Sequence, residues 1–175
     1  MTTHFVLAYS GYLIWILSGW ADFRCHRKSD IAHTSGLAES VSHLWELGIL
    51  SLAVFAFLLF QINTLLLVVL LAMVVAHAIA GYVDSTIAFT KARVVRPWEQ
   101  FVHSVLNMAP WVALLWIGVH GRTPQSGNDW DLMLREPLPS LWMWSAVVGP
   151  PALLNVLPAL REYWLCSAAV QSPQY

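Results

Sequence analysis

Long apolar runs, separated by short polar connections, organise this chain. They cover residues 5–20, 37–60, 65–83, 98–119 and 141–160. An apolar helix needs about 20 residues to cross the hydrocarbon of a bilayer. The pattern therefore predicts an all-α, polytopic integral membrane protein of one domain. It is read as a four-helix transmembrane bundle plus a fifth span that Pro150 and Pro151 bend. No basic residue precedes the first run and no small-residue cleavage pattern precedes Asp22, so that run reads as a retained helix, not a signal peptide. Residues 21–38 and 84–100 read as polar connections, Gln61 to Thr64 as a tight turn, and residues 120–140 as a loop rich in Gly, Pro and Asp. Arg96-Pro97 marks a break, with Pro97 opening the fourth helix.

Composition agrees with a membrane class and adds an orientation. The chain is 58% hydrophobic with only 11% charged residues, and the apolar stretches are too long and continuous for one small soluble core. No basic tract points to nucleic acid, and Cys25 and Cys166 form neither a ligand pattern nor a disulfide framework. If the spans alternate, Arg24, Arg27, Lys28, Lys91, Arg93, Arg96 and Arg161 share one side and only Arg122 and Arg135 the other. Seven basic residues against two place the first side, with the C-terminus, in the cytoplasm and the N-terminus outside. Trp20, Trp45, Trp98 and Trp164 then fall near one interface, and Trp116, Trp130, Trp142 and Trp144 near the other. The basic residues are read chiefly as topology signals and headgroup contacts.

Acids and histidines gather at the cytoplasmic ends of the spans. Asp22 and His26 close the first, four residues apart and so on one helical face. Glu39 and His43 open the second in the same spacing, with Glu46 one turn deeper. His77 and Asp84 lie two turns apart at the end of the third. Glu99 and His103 open the fourth, with Asn107 one turn deeper. His33, in the basic connection three residues after Asp30, is a further candidate ligand. His4 and His120 fall at the opposite end and are excluded. Ionisable groups within apolar helices are costly unless paired or ligated, and three acid-x-x-x-His pairs at corresponding helix ends are hard to obtain by accident. Asp22, His26, His33, Glu39, His43, Glu46, His77, Asp84, Glu99 and His103 are accordingly the candidate metal ligands, with Glu46 and Asn107 as candidate catalytic groups.

Mixed nitrogen and oxygen ligands without thiolate favour iron, manganese or zinc, and their number suits two ions better than one tetrahedral zinc. The arrangement is similar to the carboxylate- and histidine-bridged di-iron enzymes in general. It differs from soluble ferritin-like proteins in having Glu-x-x-x-His in place of Glu-x-x-His, and it lacks the H-x-x-x-H and H-x-x-H-H boxes of membrane desaturases and hydroxylases. The expectation is a di-iron oxidoreductase, with two Fe (or Zn or Mn), that activates O₂ against a hydrophobic or amphiphilic, lipid-like substrate. No flavin, nucleotide or haem motif is present, so electrons must come from an external donor such as a ferredoxin-like protein. A zinc-dependent hydrolase of a lipid amide, ester or phosphate is the first rival, and a metal or proton transporter the second. Against transport, the outer halves of spans two and three offer almost no polar stepping stones.

Overall fold

A computed structural model describes residues 2–121 and 129–171; Arg122, counted above among the external charges, lies outside the described residues. The helices are α1 (Thr2–Lys28), α2 (Gly36–Leu59), α3 (Thr64–Thr90), α4 (Pro97–His120), α5 (Leu141–Pro151) and α6 (Leu157–Gln171). A 3-10 turn, Ile31–His33, lies between α1 and α2, and a π turn, Ala152–Val156, joins α5 to α6. Four segments are long and apolar enough to cross a membrane: Gly36–Leu59, Thr64–Thr90, Pro97–His120 and the continuous run Leu141–Gln171. α1 is just as long, at 27 residues, but less uniformly apolar, and it packs along α4 and the π turn.

The helix ends differ from the pattern-based reading, and the differences matter. α1 continues two turns past Trp20, α3 runs through Asp84 to Thr90, and the last helix runs on from Leu160 to Gln171. Polarity did not end these helices because their polar side chains turn inward. Asp22, His26, Asp84 and Glu162 are all buried. What looked like connections are the polar ends of the bundle itself.

The helices close a ring in which α2 packs on α3, α3 on α4, α4 on α1, and α6 with its π turn between α1 and α2. The interior divides in two. One half is dry, built from Ile62, Leu66 and Leu70 with Phe57, Leu114 and Ile117 around them. The other half holds the acids and histidines. Leu71, Val75 and Ile79 of α3 and Met108, Val112 and Leu115 of α4 are exposed, as faces turned to lipid should be.

The dry end is tied off by backbone. Asn63 caps α3 by accepting from the Leu66 N–H at 2.9 Å. The Gln61 N–H donates to the Met133 carbonyl, and the Arg135 N–H to the Leu59 carbonyl. Arg135 also donates through its guanidinium to the carbonyls of Phe57 and Phe60, at 3.0 and 3.3 Å, which satisfies the open C-terminus of α2.

Pro150 and Pro151 do not break the fifth helix, and the reason is local. Lacking N–H groups, they leave the carbonyls of Ala146 and Val147, four residues earlier, without helical partners. In lipid such orphans are costly. α1 supplies the donors: the Tyr9 hydroxyl donates to the Ala146 carbonyl at 3.1 Å and the Tyr12 hydroxyl to that of Val147. The π turn follows at once, and its Asn155 donates to the Ile16 carbonyl of α1 at 3.3 Å. Gly19 makes room for it, since a Cβ there would stand 2.0 Å from the Asn155 amide nitrogen.

This pairing yields a test. Replacing Tyr9 and Tyr12 together by Phe should destabilise the fold by about 1–3 kcal/mol per carbonyl left unsatisfied. In a Pro150→Ala/Pro151→Ala background, where backbone amides return, the same change should cost much less. Unfolding in mixed micelles, read by circular dichroism, measures both. An equal cost in the two backgrounds would refute the pairing.

Candidate metal centre

The centre is assembled around two imidazoles. The rings of His26 (α1) and His43 (α2) stack face to face, with centroids 4.5 Å apart and planes 8° from parallel. Both turn Nδ1 to one carboxylate, Glu162 of α6: His26 Nδ1 lies 3.0 Å from Oε2, and His43 Nδ1 lies 2.7 Å from Oε1. With a hydrogen on each Nδ1, Glu162 accepts from both, and this leaves each Nε2 lone pair directed away from it. Phe23 closes the side of the pair, edge-on to both rings.

Each Nε2 faces its own nest of ligand atoms. His26 Nε2 lies 3.3 Å from Asp22 and 3.8 Å from Glu99, and Asp22 is in turn 2.9 Å from His103 Nε2. His43 Nε2 lies 3.3 Å from Asp84 and 4.0 Å from Glu39. Three sets thus gather within 4.8 Å: Asp22, His26, Glu99 and His103; Glu39, His43 and Asp84; and, between these two, His26, His43 and Glu162. Glu162 joins the histidines of the first two sets.

The residues fit metal ions by three observations. First, His26 Nε2, His43 Nε2, Asp22 Oδ1 and Asp84 Oδ1 are buried and make no hydrogen bond of acceptable geometry, although they lie close together. Two atoms each about 2.0–2.1 Å from one ion, at a tetrahedral angle, stand about 3.3–3.4 Å apart; the His26–Asp22 and His43–Asp84 contacts match that edge, while the other contacts in the nests run from 2.9 to 4.0 Å. Second, the charge is unbalanced. Buried Asp22, Glu39, Asp84, Glu99 and Glu162 face one buried cation, Arg93, a deficit of four that two divalent ions would offset. Third, the stacked histidines set the two nests side by side, with ring centroids 4.5 Å apart.

Arg93 clamps the outer side. Its Nε and Nη2 donate to the two oxygens of Glu39 at 2.9 and 2.5 Å, and its Nη1 donates to Glu99 at 2.5 Å and to Ser29 at 3.3 Å. Burial alone would lower its pKa; Glu39 and Glu99 more than offset that and raise it above the ordinary arginine value. The chain reaches this position through a Schellman ending of α3. The Arg93 N–H returns to the Ala88 carbonyl and the Ala92 N–H to that of Phe89, with Ala92 at φ 52°, where glycine is usual. A non-glycine residue held in the left-handed region costs about 1–2 kcal/mol, tolerated here because the turn carries the guanidinium under two helices.

Asp22, His26, Glu39, His43, Asp84, Glu99 and His103 are therefore brought together as the sequence pattern anticipated. Others are not. His33 is exposed and pairs with Asp30 at 2.9 Å, outside the centre, because the 3-10 turn carries it away. His77 is buried against the Leu106 carbonyl side of α4. Its ring nitrogens make no hydrogen bond of ordinary geometry, and it belongs to none of the ligand sets. Asn107 packs on Gly81 of α3, where a Cβ would stand 2.8 Å from its side-chain oxygen, so it sits at a helix contact. Glu46 lies deeper than the sets but within electrostatic reach of Asp84, His43, Asp22 and His103, and its Oε1 is buried without a hydrogen bond.

Two members escaped the sequence reading. A fifth span ending at Leu160 stops short of Glu162, whereas α6 runs on to Gln171; an acid following a long apolar run at the ligand end of the bundle is the available signal. Arg93 was read as a headgroup contact, whereas it is buried and belongs to the centre. No protein-family model, curated protein or solved structure matches this chain, so the reading of the centre rests on its own geometry.

Removing the clamp tests its energetics. Arg93→Met should destabilise by about 3–5 kcal/mol, because two buried carboxylates lose their cation. Arg93→Lys should recover only part of this, since a point charge cannot replace a bidentate fork. Denaturant unfolding in detergent gives both values, and an unchanged midpoint for Arg93→Met would contradict the assignment.

Proposed function

We propose that this chain is a membrane-embedded di-iron oxidoreductase that uses O₂ to oxidise a C–H bond of a lipid-like or hydrophobic substrate. One observation carries the reading: two stacked histidines share Glu162 at Nδ1 and direct Nε2 into separate carboxylate nests. A carboxylate behind a ligating histidine fixes the ring and raises its basicity. Here one carboxylate would do so for two ions. Asp22, His26, Glu99 and His103 would hold one, and Glu39, His43 and Asp84 the other. Iron bound there would supply the reduction of O₂ and the oxidation of the substrate.

The chain's own groups support the rest of the reaction. For a hydroxylation the balance is R–H, O₂, two electrons and two protons giving R–OH and water. Glu46, half-buried with its Oε1 buried and within electrostatic reach of both nests, is the group assigned to carry a proton. Arg93 holds Glu39 and Glu99 in position. The exposed Arg24, Lys28, Lys91 and Arg96 at this end offer a basic face for an acidic electron donor of the ferredoxin type. The bias of basic residues supports a cytoplasmic position for that face. The same ligands would suit two zinc ions, with Glu46 as the base of a hydrolase. Transport is the weaker reading, since the dry half of the interior gives an ion no polar path.

Metal analysis of protein made in iron-replete medium should find about two iron per chain. His26→Ala and His43→Ala should each abolish loading of at least one ion, and Glu162→Gln should weaken metal affinity by about 10–100-fold. His33→Ala should load as wild type. Two zinc and no iron would replace the oxidoreductase by the hydrolase; wild-type protein without metal would end both readings.

A further inference from the structure

A cleft of about 340 Å³ lies between α1 and α6 beside the centre. Trp20, Phe23, Leu153, Leu157 and Leu165 form its apolar walls. The three leucines are exposed on the outer side of the last helix, so the cleft meets the hydrocarbon of the bilayer. Its charged lining is Arg27, Asp30, Arg161 and Glu162. Both acids are already engaged: Asp30 with His33 and Glu162 with His26 and His43. Arg27 and Arg161 are exposed and have no acid, ring or carbonyl partner among the described residues, unlike Arg24, which lies over the Trp20 ring at 4.6 Å. The cleft therefore joins an apolar slot, open to lipid, to two uncommitted guanidinium groups.

We infer that this cleft binds a single-chain amphiphile with an anionic head group, drawn sideways from the bilayer. The head group is held by Arg27 and Arg161, whose planar forks match a carboxylate or phosphate, and the chain lies along Leu153, Leu157 and Leu165. The volume sits at the lower end of the ~300–1,000 Å³ of small-molecule sites, which favours one chain over a diacyl phospholipid. Two wall residues, Phe23 and Glu162, also touch the histidine pair. A bound chain is thus separated from the imidazoles by single side chains. Naming this amphiphile as the substrate rests on the oxidoreductase reading; its binding does not.

The test uses the full chain in phosphatidylcholine nanodiscs and a C16 fatty acid carrying a diazirine in its chain. Photolabelling mapped by mass spectrometry should mark Trp20 and residues of 153–165. Palmitate should compete, while hexadecanol and inorganic phosphate should not. Arg27→Gln/Arg161→Gln should raise the probe concentration for half-maximal labelling by about tenfold or more, with helix content and metal loading unchanged. Equal competition by hexadecanol would make the cleft a general lipid contact, and competition by phosphate a simple anion site; either overturns the inference. Wild-type labelling in the double variant does the same. A Leu153→Trp variant, which fills the cleft and keeps both arginines, should also lose labelling, and retained labelling there counts against the site. Label without iron would remove only the di-iron reading, and iron without label only this one.

Discussion

The shared carboxylate of Glu162 is the constraint on which the polar half of the bundle depends. It receives His26 from α1 and His43 from α2, so one side chain of the last helix joins three helices. Helices in lipid gain little from burying apolar surface against one another, and packing with interhelical polar contacts must hold them together. This joint explains why α6 lies between α1 and α2 and closes the ring. It also fixes which histidine nitrogen faces Glu162 and which faces the acids. Packing and chemistry are therefore set by the same two hydrogen bonds.

The other polar joints follow a common logic, in which each offsets a defect that sequence introduces elsewhere. Pro150 and Pro151 free two carbonyls, and Tyr9 and Tyr12 of α1 take them up. Glu39 and Glu99, at the starts of α2 and α4, would repel, and Arg93 ties them together. Its position needs Ala92 in the left-handed region, strain that the clamp offsets. Gly19 and Gly81 admit Asn155 and Asn107 at distances a Cβ would forbid. The dry half around Leu66 depends on packing and on the backbone and side-chain ties of Gln61, Asn63 and Arg135.

Much of this was legible from the chain. Apolar runs gave the helical membrane bundle, because hydrocarbon admits little else. The acid-x-x-x-His spacing gave Asp22 with His26, Glu39 with His43 and Glu99 with His103, because four residues make one helical turn. Helix ends were less legible. The rule that polarity marks an interface fails where a polar side chain turns inward, and it hid Glu162 and misplaced Arg93. Rotation about the helix axis was not readable either. His77 and Asn107 have suitable depth, yet they face the α3–α4 contact and not the ligand sets. His33 was drawn in by its composition and neighbours, but a 3-10 turn with Asp30 at φ 53° points it to solvent.

A purely ionic network is the alternative account of so many buried charges, and geometry bears on it more than charge does. Protonating His26, His43 and His103 would nearly balance the five carboxylates with Arg93, so the sum alone does not decide. Protonation would, however, stack two imidazolium rings 4.5 Å apart. It would also aim the Nε2 protons of His26 and His43 at carboxylates from positions where no acceptable hydrogen bond forms. Buried donors and acceptors are normally satisfied, and here the unsatisfied atoms are concentrated at the mouths of the two nests. An ion asks only that ligand atoms surround a point at the right radius. In each nest the ligand atoms lie within 4.8 Å of one another, close enough to hold an ion among the same carboxylates and histidines.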